Sequence, residues 1–201
     1  MKIVIYGATG MVGSQVAQQA VARGHEVTAV SRSGAAIEGA TSVAADLSDT
    51  DRVVELAQAA DVVVFAVPTD RTGGPTEPVI EAHRRIIAAR PAARLVVVGG
   101  AGSLTGDGGL LVDGPEFPDA YKPEARAFTT ILGDYRSSDG LSWTLVSPSP
   151  VIAPGDQKGY VLGTDSPAGD FVTTGDFAAA VLDELEKPAH VGRRFTVASK
   201  G

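Results

Sequence analysis

The stretch Ile3-Val4-Ile5-Tyr6-Gly7-Ala8-Thr9-Gly10-Met11-Val12-Gly13 decides the fold of this 201-residue chain. A short apolar run leads into glycines spaced GxxGxxG. These open a helical pattern in which Met11, Val12, Val16, Ala20 and Val21 share one face. Strand, glycine turn and helix, in that order, are the context a dinucleotide phosphate requires. Gly7 permits the tight turn out of the strand. Gly10 lets the backbone approach a pyrophosphate with no Cβ in the way, and Gly13 lets the helix pack closely on the strand. The free N–H groups of the first helical turn then face the phosphates. Gly7, Thr9, Gly10, Met11, Val12 and Gly13 are therefore the expected contacts of this turn with a cofactor.

Outward from that unit, strand-like and helix-like segments alternate. Glu26 to Val30 and Ser42 to Ala45 read as strands. Ser48 or Asp49 can cap a helix through Ala59, with Val53, Leu56, Ala57 and Ala60 inward. Val62 to Val67 and Leu95 to Val98 are continuous apolar runs, which suit strands buried on both faces. Val79, Ile80, His83, Ile86 and Ile87 mark a helix that Pro91 ends. Ala125, Phe128, Ile131, Leu132 and Tyr135 mark another, with Pro123 near its start. Further strands are expected at Leu141 to Val146, Tyr160 to Leu162 and Phe195 to Ala198. Thr173 and Asp176 have capping-box spacing before a helix that carries Phe177, Ala180, Val181 and Leu185 inward. From Leu104 to Ala120 there is no clear period, and a long loop is expected, of the kind that is usually functional or mobile. Neither a repeat nor a linker is visible. The pattern predicts an α/β chain folded as one doubly wound, Rossmann-type domain over residues 1–201, with a mostly parallel sheet and helices on both faces.

Ligands of such sheets bind at the carboxyl ends of the strands. That rule gathers residues 7–13, 31–33, 46–47, 66–73, 99–104 and 147–151 at one crevice. It makes Ala66, Val67, Gly99, Ser147 and Pro148 further expected cofactor contacts. Where an NAD site places a carboxylate at the end of the second strand, this chain has Val30-Ser31-Arg32-Ser33. Arg32 can pair with a 2′-phosphate, and Ser31 or Ser33 can hydrogen-bond it, so NADP(H) is preferred over NAD(H). Asp46 and Leu47 follow the third strand. They can contact the adenine, or Asp46 can cap the next turn.

Composition narrows the rest. Hydrophobic residues make up 44% and charged residues 20%, at a formal net charge of -7. No basic patch suggests nucleic acid or an anionic membrane surface. Cysteine is absent, which excludes disulfides, thiolate catalysis and cysteine metal sites. The three histidines, His25, His83 and His190, lack metal-ligand spacing, so no metal is expected. With no signal peptide and no apolar run of membrane length in view, a cytoplasmic location is the default expectation. The chain is expected as a monomer or weak homo-oligomer acting on a small molecule.

GATGMVG, Ser31-Arg32 and Ala45-Asp46-Leu47 resemble the atypical short-chain dehydrogenase/reductase proteins that bind NAD(P)H. VVVGGAGSL at 96–104, FPDAYKPEA at 117–125, Ser147-Pro148, Gly175-Asp176-Phe177-Ala178 and Arg194-Phe195-Thr196-Val197 resemble the group described as NADH-flavin reductases, related to flavin reductase/biliverdin-IXβ reductase. The resemblance covers essentially the whole chain. It implies hydride transfer from C4 of the nicotinamide to a flavin-like acceptor, with flavin as a substrate and not a tightly held group. The cofactor supplies the hydride and the protein the orientation.

Ordinary short-chain dehydrogenases use Tyr and Lys spaced YxxxK, one helical turn apart, so that the lysine lowers the tyrosine pKa. No YxxxK occurs here: Tyr121-Lys122 are adjacent, and Tyr135 is followed by Asp139. That argues against an alcohol dehydrogenase or sugar epimerase. Ser103, at the end of the loop after the central strand, is the leading candidate donor to cofactor or substrate, or else bonds its own turn. Tyr121 could donate a proton or stack on a flat ring, or pack the loop down. His83 and Trp143 read as core, and Lys122 as solvated. A non-catalytic NADP(H) sensor and a quinone or small-carbonyl reductase stay open beside the flavin reductase reading.

Overall fold

The computed structural model describes residues 1–201. β1 (Lys2–Tyr6), β2 (Glu26–Ser31), β3 (Thr41–Ala44), β4 (Val62–Phe65) and β5 (Arg94–Val98) alternate with α1 (Met11–Ala22), α2 (Thr50–Gln58) and α3 (Glu77–Ala89). A hairpin of β6 (Thr105–Gly106) and β7 (Gly109–Leu110) follows, then α4 (Lys122–Arg136) and β8 (Trp143–Pro148). The last part holds β9 (Val151–Ala153), β10 (Tyr160–Gly163), β11 (Phe171–Thr173), α5 (Thr174–Glu186) and β12 (Arg193–Ser199). Eight strands form one sheet in the order β10-β12-β8-β5-β4-β1-β2-β3. Every neighbouring pair is parallel except β10 with β12. This is the expected α/β Rossmann-like fold, and the sheet is mostly parallel.

The apolar runs work as buried strands because successive residues feed opposite cores. Ile3, Ile5, Val64, Val146 and Phe195 pack with α1 and α5 on one face. Val4, Tyr6, Phe65, Leu95 and Leu145 pack with α2, α3 and α4 on the other. The order runs one way from β1 through β2 to β3 and the other way through β4 and β5. The split lies between β1 and β4, so their carboxyl ends open a crevice at the reversal point.

Four readings change. The inward face of α1 is Gly13, Val16, Ala17 and Ala20; Met11, expected on that face, is exposed because it stands at the first helical position above the sheet edge. Residues 104–120 carry the β6–β7 hairpin and three-residue 3₁₀ turns at Leu111–Asp113 and Asp119–Tyr121 instead of one unstructured loop. β9 and β11 form a small parallel pair, too short to leave a periodic signal. The capping box is half made: Thr173 Oγ1 accepts from Asp176 N at 3.0 Å. The buried Asp176 carboxylate instead accepts the amides of Lys158 and Gly159 at 2.7 Å, and the Ser199 hydroxyl, tying three segments together.

His83 is core, as its spacing suggests. Its Nδ1 lies 3.1 Å from Tyr135 Oη, between the rings of Phe65 and Tyr135. Burial pushes its pKa down to about 4, from 6.5. The unfolded chain therefore binds a proton that the folded chain refuses between those values. Stability is present above pH 6.5 and falls as the pH drops toward 4. The loss amounts to roughly 3 kcal/mol at about 1.4 kcal/mol per pKa unit. Urea midpoints measured from pH 7 to pH 4 should fall accordingly, and His83→Gln should flatten the slope over that range.

Candidate functional site

At the crevice, β1 turns into α1 through Gly7, whose φ of 76° lies in the left-handed region. A Cβ there would also stand 2.8 Å from the Ala66 carbonyl carbon, so the turn fits only against the bare end of β4. A Cβ on Gly13 would stand 2.8 Å from the Gly7 carbonyl carbon and nearer still to its oxygen. These two glycines bring helix and strand into backbone contact. Gly7 N–H and Ala8 N–H donate to Val30 O, which fixes the turn on β2.

Gly10 is the N-cap of α1 and offers no side-chain cap, and the first turn carries no acidic residue. Helix geometry leaves the N–H groups of Met11, Val12 and Gly13 without intrahelical acceptors. Thr9, Gly10 and Met11 are exposed around them. The result is an uncapped positive helix end, open to solvent and free of competing carboxylates on its own first turn.

Ser31 ends β2. Its hydroxyl is buried with no partner, while its carbonyl accepts from Gly34 N and Ala45 N. Arg32 and Ser33 are exposed, and Arg32 makes no ion pair within 4.0 Å. Ser48 holds the Asp46 carboxyl below the ordinary range, donating its hydroxyl at 2.7 Å and its amide at 2.9 Å, with the charge of Arg32 adding to the effect. Asp46 thus does make the turn cap that was one of its two readings. Leu47 packs its side chain in the core beside Val30 and Phe65, leaving its backbone for any contact with a ligand.

Across the crevice, Ala66 is buried and Val67 half-buried at the end of β4. Thr69 Oγ1 is a second buried hydroxyl with no partner. The following loop is fastened to α4 by a two-pronged pair, Arg71 to Glu124, at 2.7 and 2.9 Å. No motif announces that pair, because its members lie in different elements.

Gly99 N–H donates to Val146 O at the end of β5. Ser103 is 2% exposed. Its hydroxyl donates weakly to Gly100 O at 3.3 Å and accepts from Arg194 Nη1 at 3.0 Å. Arg194 Nη1 also donates to Ser103 O at 2.6 Å, and its Nε to Asp165 Oδ1 at 3.0 Å. Burial draws the Arg194 guanidinium below its ordinary pKa, opposed by Asp165. Tyr121 is 61% exposed, and its hydroxyl makes no hydrogen bond within the chain. Lys122 pairs with Asp119 at 2.6 Å. Ser147 and Pro148 are buried, and the Ser147 hydroxyl has no partner.

The set fits a nicotinamide dinucleotide. The backbone cradle at Gly7, Gly10 and Gly13 suits the pyrophosphate, and the unpartnered hydroxyls of Ser31, Thr69 and Ser147 stand along the strand ends where a ligand would run. Fold and crevice together define a dinucleotide-binding protein of the Rossmann class. The chain belongs to the NAD(P)H-binding family, whose model matches residues 7–188. It is 37% identical to the uncharacterized protein YwnB of Bacillus subtilis, over 100% of this chain and 99% of that one. It is similar to the crystal structure of a proposed NADH-flavin reductase from Streptococcus pneumoniae, at a TM-score of 0.84 and 31% identity over 100% of both chains. It is also similar to a protein from Burkholderia pseudomallei described as exported, at a TM-score of 0.87 and 34% identity over 98% of this chain and 99% of that one. No helix is long and apolar enough to cross a membrane, and no group of three or more His, Cys, Asp or Glu residues is placed to hold a metal ion.

Proposed function

We propose that this protein is an NADPH-dependent reductase whose acceptor is a flavin or a similar planar molecule. The carrying observation is Arg32, free of any ion pair at the end of β2 where an NAD site would hold a carboxylate. Bound NADPH would supply the hydride. The first turn of α1 would hold the pyrophosphate, and Arg32 with Ser31 and Ser33 the 2′-phosphate. Ala66, Val67, Gly99, Ser147 and Pro148 would line its path along the strand ends. A flavin needs little acid–base help, because its reduced ring can stay anionic and solvent can supply a proton. That suits a crevice with no YxxxK pair. Tyr121, 61% exposed just before α4, would lie against a flat ring.

The test is loss of absorbance at 340 nm when the protein is mixed with NADPH and FMN, FAD or riboflavin. No loss above background overturns the reductase reading. In the same assay, Arg32→Ala should raise KM for NADPH about 10- to 100-fold, from the roughly 1.5–3 kcal/mol of a hydrogen bond to a charged group. KM for NADH should barely move. Equal effects on both would refute the 2′-phosphate role.

The burial of Ser103 under Arg194 favours a second reading, a cytoplasmic NADP(H) sensor with no catalytic donor in the crevice. That protein would bind NADPH tightly by calorimetry and show no turnover with any acceptor.

A further inference from the structure

α4 is the return crossover between β5 and β8, which are parallel neighbours. Its first turn therefore stands at the carboxyl end of the sheet, where the crevice opens. The loop that leaves β4 meets it there, through Arg71 and Glu124. Three cations lie in these two segments, and each is already taken. Arg71 pairs with Glu124 at 2.7 Å, Lys122 with Asp119 at 2.6 Å and Arg126 with Asp113 at 3.1 Å. Asp70 and Glu116 belong to the same segments and make no ion pair. The hydroxyl and amide of Thr72 hold the Asp70 carboxyl below its ordinary range, so it is charged at neutral pH. The balance around Tyr121 is therefore negative.

What the same segments hold in reserve is uncharged. Thr69, two residues before Arg71, is 3% exposed, and its hydroxyl has no partner. A hydroxyl donates and accepts, so it can meet the carbonyls and N–H groups of a ring edge. It brings no charge to offset a phosphate. We propose, resting on the reductase reading and on Tyr121 beside the ring, that the acceptor is a neutral planar molecule. Riboflavin is then a better acceptor than FMN or FAD, because this end of the crevice repels a phosphate.

A phosphate monoester carries a charge of about -1.5 to -2 at pH 7. Each cation it could reach beside Tyr121 would first have to leave a carboxylate. An FMN phosphate that drew Arg71 from Glu124 would strand that carboxylate next to itself, a like charge where a pair had been. The other cations do not offer an alternative. Arg32 takes the 2′-phosphate of NADPH in the reductase reading. Arg194 is buried against Ser103 and Asp165. Lys158 and Lys200 flank the start of β10, at the edge of the sheet. Selection for a neutral acceptor thus comes from repulsion of the charged ones, while the ring contacts are common to all three flavins.

Steady-state reduction of riboflavin, FMN and FAD by NADPH tests the proposal. At ~10 mM ionic strength, where the Debye length is about 30 Å, kcat/KM for riboflavin should exceed that for FMN about 10-fold. At ~1 M salt the Debye length is about 3 Å, and the gap should close to within about 2-fold. Glu124→Gln combined with Asp119→Asn frees Arg71 and Lys122, so it should raise kcat/KM for FMN toward that for riboflavin. Glu26→Gln removes a carboxylate at the start of β2, the far end of the sheet, and should leave the ratio unmoved. If the double variant fails to fold by circular dichroism, the wild-type ranking and its salt dependence decide the matter. FMN or FAD equal to riboflavin or better at low salt overturns the proposal and leaves the reductase reading standing. A gap that persists at high salt, or a ratio unmoved in the folded double variant, also overturns it. No reduction of any of the three removes the reductase reading and the choice of acceptor with it.

Discussion

Gly13→Ala is expected to weaken nicotinamide dinucleotide binding at least about 100-fold, the scale at which a displacement of about 1 Å affects a positioned group. It should also lower Tm. The added methyl would stand against the Gly7 carbonyl and 3.2 Å from Ala8 Cα. Neither is a side chain that can swing aside, so α1 must move away from β1. That movement carries the free N–H groups of Met11 and Val12 off the phosphate position and opens the core around Val16 and Ala17. Gly10→Ala provides the contrast. A Cβ there meets nothing nearer than Gly7 O at 3.2 Å, and the position is exposed. That variant should melt close to the wild type while losing much of its dinucleotide affinity. Titration calorimetry and thermal melts on the pair separate packing from binding. Wild-type affinity in Gly13→Ala would show that helix–strand contact does not aim the helix end.

The same glycine turn explains how far the sequence could be read. Its strand and helix are both strongly patterned, and the rule that ligands gather at strand ends assigns residues 7–13, 31–33, 46–47, 66–73, 99–104 and 147–151 to one end of the sheet. The buried runs at β4 and β5 are unambiguous because a strand covered on both faces has no polar alternation to confuse it. The parts that stayed hidden depend on partners far along the chain. Ser103 belongs to the expected strand end, but its neighbour Arg194 lies 91 positions away, and an Arg-Arg pair at 193–194 looks solvated in one dimension. Arg71 with Glu124 and Asp176 with residues 158–159 are of the same kind. β9 and β11 are three residues each, below any window in which a period could show. Asp46 had two sensible readings, and the position of Ser48 in space shows the cap without bearing on the adenine contact.

Glu184→Ala should cost about 3–5 kcal/mol of stability, the usual penalty for stranding a buried charge. Glu184 is 4% exposed on α5. Its carboxylate accepts from Arg94 Nη2, from the amides of Ala189 and His190, and from His190 Nδ1 at 2.7 Å. Burial alone would raise its pKa, but hydrogen bonds from His190, Arg94 and Ala189 outweigh burial and hold it ionised below the ordinary range. Arg94 starts β5; its Nη1 also donates to Glu184 O at 2.9 Å and its Nη2 to Thr144 Oγ1 at 2.7 Å, while its buried Nε has no partner. The cluster therefore clasps α5 and the turn before β12 to the amino ends of β5 and β8. Removing the carboxylate leaves the guanidinium buried with no counter-charge. Removing both charges is a milder change, so Arg94→Met combined with Glu184→Leu should be more stable than either single variant. Because the cluster sits at the end of the sheet opposite the crevice, each variant that folds should bind dinucleotide with wild-type affinity. Denaturant melts of the two single variants and the double variant, with calorimetry on the folded proteins, check both halves. Additive losses in the double variant would mean that the pair is not coupled. A large drop in dinucleotide affinity would mean that the two ends of the sheet are.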